Sequence, residues 1–73
     1  MNFEPDLELK KELLKIHNSR NFVKLFAKIN DLKKKFPNSL FLLTLLGNMN
    51  NELGKYNEAI YNFNKIIEIN PNF

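Results

Sequence analysis

Apolar positions along this chain fall into four stretches at helical spacing. The last stretch is the clearest: Tyr56, Ala59, Ile60, Phe63, Ile66 and Ile67 sit at i, i+3, i+4, i+7, i+10 and i+11, on one face of a helix. The second repeats the pattern with Phe22, Leu25, Phe26, Ile29, Leu32 and Phe36. The first runs from about Asp6 to Asn18, with Leu9, Leu13, Leu14 and Ile16 apolar. Its start predicts Glu4 as cap, Pro5 at the first helical position, and Asp6 and Glu8 complementing the helix dipole. The third, about Leu40 to Leu53, opens on LFLLTLL, which alone could be a buried strand. A helix is favoured there. Ser39 suits a cap, the spacing continues to Met49 and Leu53, and no second strand is available to pair with.

Punctuation supports this division. A glycine just past a helix can take the left-handed conformation that closes it, so Gly54 reads as the stop of the third helix. Pro37 and Pro71 end the second and fourth helices. They lie 34 residues apart, and shifting the chain by that interval superposes Phe22 on Tyr56, Leu25 on Ala59, Phe26 on Ile60, Ile29 on Phe63 and Leu32 on Ile66. The chain therefore reads as an N-terminal lead, 1–5, and two helical hairpins, 6–39 and 40–73. The predicted class is all-α.

Composition narrows the functional classes. The chain has 73 residues, enough for one small domain at most. A core of that size rarely supplies more than roughly 3–5 kcal/mol, and without cysteine no disulfide can add to it. A net charge of +3 slightly favours acidic partners without being a nucleic-acid signature. The start MNFEPDLELKK lacks a basic region followed by an apolar run, and Leu40–Leu46 is far below the ~20 residues that span a bilayer. A cytoplasmic protein without membrane association is expected. The lone His17 makes neither a metal site nor a catalytic pair and reads as solvated. Lys33, Lys34 and Lys35 complement the end of a helix dipole and have no interleaved aromatic platform, which argues against nucleic acid. The many asparagines read as solvated surface. With no nucleophile–base pair, phosphate loop or metal cluster, neither enzyme activity nor a cofactor is expected.

A repeated 34-residue helix–turn–helix resembles the tetratricopeptide repeat. In the second hairpin Leu46 and Gly47 fit the family's Leu-Gly pair, Gly54 and Tyr56 its turn, and Ala59, Phe63 and Pro71 its Ala, Phe and Pro. Leu43 replaces the usual Trp and Asn50 the usual Tyr. The first hairpin agrees in length and apolar positions, but Leu13 stands for the small residue, Arg20 for the turn glycine and Leu25 for the alanine. The resemblance implies a short right-handed α-solenoid fragment. It also implies that Gly47 faces Ala59 where two helices cross closely.

It implies as well a protein-interaction scaffold that takes a protein or peptide in a concave groove lined by the first helix of each hairpin. By position, that groove comprises Leu7, Lys10, Leu14 and His17, then Phe41, Thr44, Leu45, Asn48, Asn51 and Glu52. Lys10 matches a carboxylate-clamping position of the family. Leu14 and Leu45 stand where such clamps and ladders place asparagine, which argues against both. An amphipathic segment docking on Phe41, Leu45 and Leu14 is one expectation. Cover of the same residues by Phe3 and the lead is the other.

The C-terminal end raises an alternative. Ile60, Phe63, Ile67 and Phe73 belong to the side that would pack on a further hairpin, yet the sequence stops at NPNF. Three repeats are generally needed for stability, and terminal units present a polar face. Either further repeats of a longer parent chain cover this side, or the chain forms a homo-oligomer through it, with a swapped dimer as a variant.

Overall fold

The computed structural model describes residues 3–72, which form four helices: α1 (Leu7–Asn18), α2 (Phe22–Lys35), α3 (Leu40–Glu52) and α4 (Tyr56–Ile69). The chain divides into two compact units between Ser39 and Leu40. Each is a helical hairpin, with α1 packed on α2 and α3 packed on α4. No helix among the described residues is long and apolar enough to cross a membrane.

In the first unit the α1 cap differs from expectation. Asp6, not Glu4, is the N-cap, and its carboxylate accepts the Leu9 amide at 2.9 Å. A short aspartate at this position reaches the third helical amide directly. Pro5 lies buried outside the helix, and the Glu4 carboxylate instead accepts the hydroxyl of the fully buried Ser39. Asn21 caps α2 by accepting the Lys24 amide at 3.3 Å. Leu13, Leu25 and Ile29 are completely buried, with Ile16 beside them.

The second unit is built around α3. Seven of its residues, Leu42, Leu43, Leu45, Leu46, Gly47, Met49 and Asn50, are buried, as expected of a helix apolar on more than one side. From α4, Ala59, Asn62 and Ile66 are buried. The turn between them follows from Gly54. Its φ of 76° lets its own amide reach Asn51 O at 3.1 Å while the Lys55 amide reaches Asn50 O at 2.8 Å. This pair of bonds is a Schellman closure.

The two hairpins share their backbone geometry at the 34-residue interval. Arg20 takes the left-handed φ of 62° at the position of Gly54. The helix entries at Asn21 (φ −85°, ψ 74°) and Lys55 (φ −87°, ψ 68°) agree closely. The helix exits at Phe36 (φ −129°, ψ 64°) and Asn70 (φ −136°, ψ 88°) agree in the same way. Arg20 therefore departs from glycine in residue type and not in conformation.

Candidate interaction surfaces

Beside its buried Ala59–Asn62–Ile66 face, α4 carries a run of exposed apolar side chains. Tyr56, Ile60 and Ile67 are 62%, 56% and 54% exposed. Their helical spacing aligns them in one stripe, with polar Asn57, Asn64 and Glu68 along one flank. Tyr56 lies in this stripe and not in the core. Phe63 lies at its inner edge, half-buried. A Cβ added to Gly47 would stand 2.6 Å from Phe63 Cε1 and 2.8 Å from Cζ. The closest neighbour of Gly47 is thus the Phe63 ring, where Ala59 was expected, and Phe63 belongs to the α3–α4 crossing more than to a free surface. Ala59 is buried and Pro71 exposed. Phe73 lies outside the described residues.

Residues 41–73 match the family model of the tetratricopeptide repeat. The second hairpin belongs to the tetratricopeptide repeat family. No curated protein and no solved structure gives a significant match to the chain. The matched segment takes in nearly all of α3 and the whole of α4, so the Tyr56–Ile60–Ile67 stripe lies on the second helix of the repeat. Tetratricopeptide repeats serve as protein-interaction modules, and the family assignment points to protein partners.

The residues expected on the first helix of each hairpin divide by burial. On α1, Leu7 and Leu14 are exposed, Lys10 half-buried. Phe3 of the lead is itself 62% exposed. His17 is half-buried rather than solvated, its ring 5.7 Å from that of Phe22. The Arg20 guanidinium sits 5.1 Å above the same ring. On α3, Asn48, Asn51 and Glu52 are exposed and Phe41 and Thr44 half-buried. Leu45 is only 5% exposed, which corrects its expected place as a docking residue. α3 is apolar around most of its circumference, so periodicity alone did not separate its core positions from its outer ones.

Two polar ties across the hairpins were not anticipated. In the tetratricopeptide repeat Asn50 and Asn62 are both buried, and Asn50 Nδ2 donates to Asn62 Oδ1 at 2.9 Å. The pair joins α3 to α4 in the position where Asn50 departs from the family pattern. The signal was in the spacing. Asn62 stands three residues after Ala59 and four before Ile66, on the inward face. In the first unit Lys28 Nζ donates to Glu12 Oε1 at 2.7 Å. This hydrogen bond and the lysine charge hold the Glu12 carboxyl below its ordinary range, with Lys24 adding to the effect.

Proposed function

We propose that this chain is a non-catalytic interaction scaffold that binds another helical surface through the α4 face of its tetratricopeptide repeat. The carrying observation is the Tyr56–Ile60–Ile67 stripe, more than half exposed at each position. Such a stripe is a liability on a solitary molecule and an asset at an interface. Burying one isoleucine is worth roughly 1.5–3 kcal/mol, so two of them supply a useful share of an association energy. The partner is a second copy of the chain or a further repeat of a longer parent. We also propose that 6–39 is a degenerate repeat of the same kind, on the strength of the matched backbone angles at Arg20 and Gly54, Asn21 and Lys55, and Phe36 and Asn70.

Light scattering coupled to size exclusion, across a hundredfold range of concentration, tests the self-pairing form. The expected result is a dimer that Ile60→Asp with Ile67→Asp converts to monomer, while Tyr61→Asp does not. Tyr61 is equally exposed, at 66%, but lies off the stripe. A dimer indifferent to the paired substitution would remove α4 as the interface.

A second reading is favoured by the exposed Leu7 and Leu14 on α1, which lie seven residues apart on one helical stripe. They offer an apolar track for a peptide in the family's groove. Leu7→Asp with Leu14→Asp should abolish that activity and leave the α4 interface intact.

A further inference from the structure

The first unit contains a cleft that neither proposed surface uses. It has a volume of about 480 Å³ and is lined by Leu9 of α1 and by Lys28, Asp31, Leu32, Lys34 and Lys35 of α2. That volume lies within the roughly 300–1,000 Å³ typical of ligand clefts. Leu9 and Leu32 are half-buried and form an aliphatic floor between the start of α1 and the end of α2. The rim is basic, with three lysines against one aspartate. Two of those lysines have internal partners: Lys28 holds Glu12, and Lys34 stands 3.9 Å from Asp31 with both side chains more than 80% exposed. Lys35 has no ion-pair partner among the described residues.

We infer that this cleft binds an acidic peptide segment carrying one aliphatic anchor side chain. The anchor occupies the Leu9–Leu32 floor, and carboxylates on either side of it meet Lys34 and Lys35. Charge complementarity selects an acidic ligand. The lining selects a peptide over a nucleic acid, because no aromatic ring is present to stack a base and no arginine to fork a phosphate. Asp31 in the lining would also repel a continuous phosphate backbone, whereas a peptide can place an uncharged residue there. The Lys33–Lys35 run is thereby divided. Lys34 and Lys35 line the cleft; Lys33, half-buried, is not among the lining residues and serves the helix end. The inference rests on the reading of the chain as an interaction scaffold, but not on the α4 stripe.

The test uses the full chain and the peptide Asp-Glu-Leu-Ser-Glu, acetylated and amidated, whose serine supplies the uncharged residue for Asp31, followed by methyl NMR. Saturable shifts of the Leu9 and Leu32 methyls are expected. Lys35→Glu should weaken binding about tenfold, since it sets like charges against each other. Lys33→Glu changes the net charge and the helix end equally and should leave the affinity within about twofold. Equal losses from the two variants would show unspecific charge attraction and overturn the proposal. So would the absence of Leu9 and Leu32 shifts, or stronger shifts of the same methyls with a single-stranded oligonucleotide or an anionic vesicle. The α4 substitutions separate this inference from the scaffold reading. A cleft that fails while Ile60→Asp and Ile67→Asp still abolish association leaves that reading standing.

Discussion

Gly47 and Gly54 lie seven residues apart in one hairpin and are constrained by different physics. At Gly54 nothing lies within 4 Å of an added Cβ, so space is not the constraint; the φ of 76° is. Left-handed backbone costs an L-residue roughly 1–2 kcal/mol, and Gly54→Ala should lower stability by about 1 kcal/mol. Gly47 has ordinary helical backbone and a Phe63 ring 2.6 Å from the would-be Cβ. Gly47→Ala should cost about 1–3 kcal/mol through overpacking. A second change distinguishes the two mechanisms. Phe63→Leu should recover part of the loss at Gly47 and none of the loss at Gly54, read by urea unfolding of the four variants. Equal recovery at both sites would deny the ring its assigned role. The roles of the two glycines as small-residue contact and helix stop were legible from sequence, because turn chemistry and spacing are local. That Phe63 and not Ala59 is nearest Gly47 depends on where a ring settles between helices, which spacing does not encode. Arg20 shows the same division. Its residue type conceals the left-handed turn, and only the 34-residue register with Gly54 exposes it.

At the level of the helices, period and punctuation were enough to locate all four, since caps, prolines and a 3.6-residue repeat act within a few residues of one another. The ties between helices were less visible. Asparagine is a surface residue on average, and Asn50 and Asn62 were read as such, yet both are inside and bonded to each other. A buried amide needs its partner, so single and double substitutions should differ in kind. Asn62→Ala strands the Asn50 amide and should cost about 1–3 kcal/mol. The first unit suggests the compensating change: Ile16 is the buried residue at the register of Asn50. Asn50→Ile combined with Asn62→Ala removes both polar groups and should be less destabilising than the sum of the single changes, by about 1 kcal/mol or more. Strict additivity in thermal unfolding would mean that the hydrogen bond contributes nothing beyond its two side chains. Leu45 was misplaced for the converse reason. α3 is apolar on several sides, so its residues sort into core and surface only once α3 is folded.

For the molecule as a whole, the balance between core and exposed apolar surface decides how the chain behaves in solution. Two small hairpins bury Leu13, Leu25, Ile29, Leu42, Met49 and Ile66 almost completely, while α4 leaves Tyr56, Ile60 and Ile67 more than half in water. A surface of this kind links stability to concentration, because a partner that binds only the folded form stabilises it by mass action. With a second copy as partner, the midpoint of thermal unfolding should rise with protein concentration, by several degrees over a hundredfold range. Ile60→Asp with Ile67→Asp should flatten that dependence. The doubly substituted chain should unfold near the midpoint that the unmodified chain approaches on dilution, because both side chains are already largely solvated in the single molecule. These two outcomes are separable from damage to the fold, which would lower the midpoint at every concentration. A midpoint independent of concentration in the unmodified chain would mean that copies of it do not cover the stripe. The α4 face would then require a different helical partner, and the repeat would be a receiving surface and not a self-pairing one.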